Sequence, residues 1–301
     1  MIKITERRIP SSDGKHKLYF RVFTPEGEAK GLFHVVHGMT EHIRRYEGFM
    51  REMAEHGYIC YGFDNLGHGY TAENESELGC IEKWENMVED VQTVTRLMKK
   101  KYGKALPCFL MGHSMGSFIA RCAANPNYWD KVIFMGTGGP NPASDAGLAL
   151  IKAAIKKDGA RAEAPNIKKL LFGSYCRHYK EENDYLAWLS TKKEVRDAFR
   201  ADKFCSYDFK LNGYYTLIKL QSICNRKTWF THISDKLPIL LVSGSEDPVG
   251  SYGNGVTAVF NILKKQGKDV RMKLYDGCRH EILNDVCRDE VIEDILVFMD
   301  L

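Results

Sequence analysis

The sequence predicts an α/β protein built on a largely parallel sheet and carrying an inserted helical cap. Three observations carry that expectation. Short apolar runs alternate with segments whose apolar residues recur at helical spacing. A serine flanked by glycines stands where one such run gives way to a helix. From about residue 140 to 235 the alternation breaks, and several helices follow one another instead.

The chain opens with two extended stretches, 2–9 and 16–24, separated by the turn residues Ser11-Ser12-Asp13-Gly14-Lys15. Leu18, Phe20 and Val22 share one face of the second stretch, and the apolar run Leu32–Val36 follows. A helix over Tyr46–His56 buries Phe49, Met50 and Met53 and stops at Gly57, leading into a strand at Tyr58–Phe63. Trp84–Tyr102 has the clearest helical stripe, through Met87, Val91, Val94 and Met98. It ends in lysines and Gly103, which suits the negative end of the helix dipole. Strands at Cys108–Met111 and Val132–Met135 bracket the helix after Ser114. Two further strands, Ile239–Ser243 and Val270–Tyr275, enclose a helix through Val256, Val259, Phe260 and Leu263. A last helix runs through Val291, Ile292, Ile295 and Phe298. Residues 1–139 and 236–301 therefore form the core. Residues 140–235 form a cap inserted between the sixth and seventh strands, with helices that include Leu148–Ile155 and Tyr185–Phe199.

A chain of 301 residues accommodates this plan as one large domain plus an insertion. The net charge of +4 comes from 43 Lys and Arg against 39 Asp and Glu, spread along the chain. That reads as a mixed solvated surface and not as a nucleic-acid groove. The nine cysteines are odd in number and include no Cys-x-x-Cys pair, and the opening MIKITERRIP has no apolar signal core. Both point to free thiols in a reducing cytoplasm. No apolar run approaches the roughly 20 residues that a membrane span needs.

The chemistry centres on Gly112-His113-Ser114-Met115-Gly116, placed between the strand Cys108–Met111 and a helix. In that context the G-x-S-x-G pattern is a nucleophile elbow: a turn so tight that flanking Cβ atoms would collide, with the serine at its apex. A serine hydroxyl needs a positioned base. Of the ten histidines, His280 stands on a loop just past a strand, at the sheet edge that also bears Ser114. Asp247, past the strand Ile239–Ser243, shares that edge and is the candidate acid, with Glu246 the adjacent alternative. The order Ser, Asp, His is the one such an elbow leads one to expect. An oxyanion hole would take one backbone N–H from Met115 and a second from Met39, where Gly38 lets the backbone approach the reacting carbonyl. His37 reads as a wall or structural residue. Asp64-Asn65-Leu66-Gly67-His68-Gly69 lacks the lysine of a phosphate loop and reads as a locally bonded loop. His280-Glu281 does not continue into a zinc motif, because position 284 is Asn. No cofactor or metal is expected.

Several of these motifs together resemble a known family. They are His37-Gly38 with Glu41-His42, Asp64 with Gly67-His68-Gly69, the elbow, Gly244 with Asp247-Pro248-Val249, and Arg279-His280-Glu281. They resemble the monoacylglycerol lipase and lysophospholipase group of α/β hydrolases, often placed with the serine aminopeptidase-like hydrolases. The resemblance spans nearly the whole chain and is weakest in the cap. It implies the α/β-hydrolase fold, with a mostly parallel eight-stranded sheet, and it favours Asp247 over Glu246. It further implies hydrolysis of a single-chain acyl ester through an acyl-enzyme on Ser114. Thr71 stands where the family commonly has serine, and it keeps the hydroxyl.

The cap is rich in apolar and aromatic residues, among them Leu171, Phe172, Tyr175, Trp188 and Tyr214, which would serve its own core or an acyl-chain groove. Lys152, Lys156 and Lys157 flank an apolar stripe, which leaves peripheral membrane contact through the cap open. An aminopeptidase of the same fold is the alternative enzyme and would need a cap carboxylate from Glu163, Glu181, Glu182 or Asp184 to hold a free amine. A non-catalytic ligand-binding member is the alternative outside the enzymes. Cys278, near the proposed base, is expected to make the site sensitive to bulky thiol reagents.

Overall fold

The computed structural model describes residues 2–301. The chain enters through a hairpin. β1 (Lys3–Pro10) and β2 (Lys17–Thr24) pair antiparallel, from Lys3 opposite Thr24 to Pro10 opposite Lys17. The Asp13 carboxylate closes the turn by accepting the N–H groups of Lys15 and His16. After β3 (Gly31–Val36) come a short 3₁₀ turn at Ile43–Tyr46, α1 (Glu47–Glu55) and β4 (Tyr58–Phe63). The helix expected over Tyr46–His56 is therefore α1 with a tighter turn ahead of it. α2 (Trp84–Tyr102) has the bounds that its periodicity predicts. β5 (Cys108–His113), α3 (Met115–Ala123) and β6 (Lys131–Met135) complete the first half of the sheet.

Five helices separate β6 from the next strand. They are α4 (Ser144–Asp158), α5 (Pro165–Phe172), α6 (Lys193–Ala201), α7 (Leu211–Cys224) and α8 (Lys227–His232). The chain then alternates again through β7 (Ile239–Gly244), α9 (Asn254–Lys265), β8 (Val270–Tyr275) and α10 (Arg288–Asp300). The eight strands form one sheet in the order β1-β2-β4-β3-β5-β6-β7-β8. Every pairing from β4 to β8 is parallel. Parallel strands feed their following loops to one edge, so the segments after β3, β5, β7 and β8 converge there.

Alternate residues divide two cores between the sheet faces, as a period of two requires. Leu18, Phe20, Leu32 and Val36 join one cluster with α2, α3, α7 and α9 residues such as Val91, Ile119, Leu220 and Val259. Tyr19, Phe23, Phe33 and Val35 join the other with Met50 of α1 and Ile295 of α10. Both faces are covered, which is why the central strands are buried along their whole length.

The helix expected over Tyr185–Phe199 is not formed: only Lys193–Ala201 is helical, and 184–192 is a loop. Its backbone groups are engaged elsewhere. Asp184 accepts the Leu186 N–H, Asp285 accepts the Thr191 N–H and hydroxyl, and the carbonyls of Trp188 and Leu189 accept the amides of His280 and Glu281. Among the described residues, no helix is long and apolar enough to cross a membrane.

Candidate active site

Ser114 sits between the end of β5 and the start of α3 with φ 55° and ψ −122°. A non-glycine residue at positive φ is strained, and such strain typically costs about 1–3 kcal/mol. The turn is held in place regardless. The Ser114 N–H donates to the Met135 carbonyl at 3.0 Å, and Ser117 donates its amide and hydroxyl to the Ser114 carbonyl at 2.9 and 2.6 Å. A Cβ at Gly112 would strike the Gly116 carbonyl, and one at Gly116 would strike the Val36 and His37 carbonyls. Both elbow glycines are therefore required by close packing of backbone on backbone.

Asp247 and His280 arrive from the loops after β7 and β8. Asp247 is fully buried. One carboxylate oxygen, Oδ1, accepts the Val249 N–H at 2.8 Å. The other, Oδ2, accepts the Ser243 hydroxyl at 3.2 Å and lies 2.9 Å from Nδ1 of His280. The His280 ring lies between Trp188 and His113, with ring centroids 5.1 and 4.7 Å away. Glu246, the adjacent candidate acid, is engaged through its backbone carbonyl, which accepts the Tyr179 hydroxyl. The acid and base proposed from sequence are thus in contact. Ser114 lines the same cavity as His280 without a hydrogen bond to it among the described residues. Such bonds are commonly long in ligand-free enzymes and tighten on substrate.

Met39 and Met115 flank the serine. Gly38 packs so closely that a Cβ there would lie 3.0 Å from the Ser114 Cβ. Met115 is the first residue of α3, where helical N–H groups lack an internal acceptor. Neither amide donates to a backbone carbonyl among the described residues. Both remain available to an anion on the reacting carbonyl.

Behind these residues lies a buried charge network whose roles sequence spacing did not reveal. Glu41 accepts the Gly38 N–H at 2.5 Å and the Tyr46 hydroxyl at 2.9 Å, and lies 3.2 Å from His113 Nδ1. Arg45 bridges Glu41, at 2.9 Å, and Glu281, at 2.7 Å through each terminal nitrogen. His113 Nε2 lies 3.2 Å from the His280 carbonyl. Burial alone would lower the His113 pKa, but the hydrogen bond and charge of Glu41 outweigh it and raise it. Burial likewise opposes ionisation of Glu41, yet His113 and Arg45 hold its carboxyl well below the usual range. The signal that could have found this network is the pair of acids Glu41 and Glu281, each beside a motif histidine.

The cavity holds about 660 Å³. Met39, Ser114, Phe118 and His280 line its floor, and Phe172, Tyr175, Trp188, Tyr214 and Leu217 contribute from the segment between β6 and β7. Cys278 is not part of it. That side chain is fully buried with Tyr275, Ile282 and Leu283 in the second core, so the expected crowding of His280 by thiol reagents is not supported. Cys205 lines the cavity instead and, with His42 and Asp202, is the one group among the described residues arranged to hold a metal ion. Of the two roles expected for His37, the structural one is seen: it is fully buried, its Nε2 accepts the Asn65 N–H, and burial lowers its pKa to about 4. Asp64 ties its loop together by accepting the Ile43 and Tyr70 amides, and Thr71 donates to the Asp64 carbonyl.

Sheet order, crossovers and elbow define an α/β hydrolase. The chain belongs to the family described as "Serine aminopeptidase, S33", which it matches over residues 27–286. It is similar to the "Monoacylglycerol lipase" of Mycolicibacterium smegmatis, at 25% identity over 94% of this chain and 92% of that one. It is similar also to the human "Monoglyceride lipase", at 27% identity over 90% of this chain and 81% of that one. A thermostable carboxyl esterase from Bacillus coagulans, solved with glycerol, superposes with a TM-score of 0.92. It shares 30% identity, and the match covers 99% of this chain and 98% of that one. The chain is a hydrolase of this family, similar to monoglyceride lipases and esterases.

Proposed function

We propose that the protein is a serine carboxylester hydrolase acting on single-chain acyl esters, of monoacylglycerol or lysophospholipid type. The observation that carries this reading is the Asp247–His280 pair, 2.9 Å apart, at the wall of the cavity that exposes Ser114. In the first step Ser114 Oγ attacks the ester carbonyl while Nε2 of His280 takes the hydroxyl proton. Asp247 holds Nδ1–H and favours the imidazolium. The amides of Met39 and Met115 receive the negative charge on the carbonyl oxygen, each such donor being worth about 3–4 kcal/mol in the transition state. His280 then gives its proton to the leaving alcohol. Water, deprotonated by His280, attacks the acyl-enzyme and releases the fatty acid.

The substrate class rests on the cavity lining and on the names of the relatives. In this reading residues 140–235 act as a cap whose Phe172, Tyr214 and Leu217 receive the acyl chain, at about 0.8 kcal/mol per buried CH₂. An aminopeptidase would need an unmatched carboxylate to hold an amine. Glu163 pairs with Lys210, Glu182 with Arg196 and Arg279, and Asp184 with Arg196 and Arg200. Inside the cavity, Glu41 and Glu281 share Arg45, and Asp208 pairs with Lys168. Glu181 makes no ion pair among the described residues but does not line the cavity, and the acids that do are already spent on cations of the chain, which favours a neutral ester.

A hydrolysis panel tests this: monoacylglycerols, lysophospholipids, short p-nitrophenyl esters and amino-acid anilides, with Ser114→Ala as control. The reading requires ester cleavage that Ser114→Ala abolishes, together with fluorophosphonate labelling of the native chain alone. Preference for anilides would overturn the substrate class. Undiminished hydrolysis by Ser114→Ala would overturn the mechanism.

A further inference from the structure

His42, Asp202 and Cys205 come together from two distant parts of the chain. His42 stands in the loop after β3 that also carries Met39, Asp202 ends α6, and Cys205 lies on the turn that follows. One nitrogen, one oxygen and one sulfur from these residues lie within 4.8 Å of one another. The Asp202 end is organised: Oδ2 lies 2.9 Å from His42 Nε2, Oδ1 accepts the Phe204 N–H at 2.8 Å, and the Asp202 carbonyl accepts the Cys205 N–H at 2.9 Å. The Phe204 and His42 rings meet edge to face, with centroids 5.8 Å apart.

Two further observations point to a ligand. His42 is 5% exposed, and its ring is hydrogen-bonded through one nitrogen alone, Nε2 to Asp202, while Nδ1 has no hydrogen-bond partner. Cys205 is 2% exposed, and its sulfur is not hydrogen-bonded among the described residues, although it lies on the cavity wall. The nearby cation, Arg45, forms its ion pairs with Glu41 and Glu281 and none with Asp202, although its charge reaches the Asp202 carboxylate. Asp202 is itself part-exposed, which gives an ion a way in from solvent.

We propose that His42, Asp202 and Cys205 form a site for a borderline-soft divalent cation of the zinc class, and that occupancy slows hydrolysis by tying the Met39 loop to the segment after α6. The donor set selects the ion. A sulfur and an imidazole suit zinc and disfavour magnesium and calcium, which take oxygen. Three protein ligands leave a fourth position for water. Tetrahedral zinc would place its ligand atoms about 3.5 Å apart, so side-chain rotation has to open the 2.9 Å contact between His42 Nε2 and Asp202 Oδ2 to admit the ion. On coordination the Cys205 S–H bond breaks, its proton passes to solvent, and a sulfur–metal bond replaces it. No electron is transferred.

The full chain, stripped with a chelator, is titrated with Co²⁺ and Zn²⁺. The expected result is one tight equivalent and a thiolate-to-cobalt charge-transfer band in the near ultraviolet. Cys205→Ser should abolish the band and weaken Zn²⁺ binding at least about 100-fold. Asp202→Asn, which keeps both soft ligands, should retain the band and weaken binding about tenfold, a second test should Cys205→Ser fold poorly. A titration without the band, or a band undiminished in Cys205→Ser, overturns the site. In a second arm, each protein's ester hydrolysis is compared with its own metal-free rate. The native rate should fall at saturating Zn²⁺, recover with chelator, and respond much less in Cys205→Ser. Binding without slowing overturns the coupling. This second arm rests on the proposed esterase function and the cobalt spectrum does not, so a chain without esterase activity would sink that function while leaving the metal site standing.

Discussion

Arg45 grips Glu281 through two 2.7 Å hydrogen bonds, although the two residues lie on opposite sides of the nucleophile in sequence. The same guanidinium holds Glu41, which in turn holds the amide of Gly38. One cation thereby fixes both the loop proposed to stabilise the oxyanion and the loop that carries the proposed base. Arg45→Ala leaves the buried Glu281 without a cation and leaves Glu41 with His113, Tyr46 and the Gly38 amide alone. The expected loss is about 3–5 kcal/mol of stability, read by urea unfolding, with a fall in kcat. Arg45→Lys cannot make the two-pronged contact and should recover only part of each. A variant as stable and active as the native protein would show that the bridge positions nothing.

Asp247 and Glu246 separate cleanly by substitution. Asp247→Asn removes the charge that faces His280 and should lower kcat about 10⁴-fold with the fold retained. Glu246→Gln alters a side chain with no hydrogen bond to the imidazole among the described residues, and kcat should stay within about twofold. Steady-state ester hydrolysis reads both, and the reverse ranking would reassign the acid.

Trp188 flanks the ring of His280 and supplies the carbonyl that accepts its amide. Trp188→Ala keeps the carbonyl and removes the flank. The imidazole then gains freedom, and kcat should fall between about 10- and 100-fold. A change confined to KM would mean that the indole contacts only substrate.

Acid sensitivity should come from histidines outside the site. His34 and His68 are wholly buried, and burial lowers both pKa values to about 3. A folded-state pKa below the unfolded value of 6.5 means that the unfolded chain binds more protons. The stability these residues contribute is therefore fully present above pH 6.5 and lost as pH falls toward about 3. His34 stacks on Tyr61 at 4.5 Å, with Nδ1 beside the Thr95 hydroxyl. His34→Leu should reduce the acid slope by about 1.4 kcal/mol per pH unit. Chemical denaturation at pH 7, 6 and 5 reads it, and parallel curves for the two proteins would refute the assignment.

The sheet was legible because parallel strands covered on both faces must be apolar throughout. The helix Trp84–Tyr102 was legible because one of its faces alone is buried. The elbow was legible because its glycines are demanded within five adjacent residues. The loop at 184–192 was not. Leu186, Trp188 and Leu189 mimic helical spacing, while the partners that hold the loop open, Asp285 and the amides of His280 and Glu281, lie about 95 residues further on. The Arg45–Glu281 bridge and the His42–Asp202–Cys205 cluster were hidden for the same reason, since local pattern carries no record of long-range contact.

The pairing of the Trp188 and Leu189 carbonyls with the His280 and Glu281 amides has a consequence for engineering. Grafting a foreign segment in place of residues 140–235, the proposed cap, would do more than reshape the pocket, because it would also remove the carbonyls that accept the His280 and Glu281 amides. Any working chimera has to bring an equivalent brace with it, so the proposed cap and the loop that bears His280 exchange as a single module.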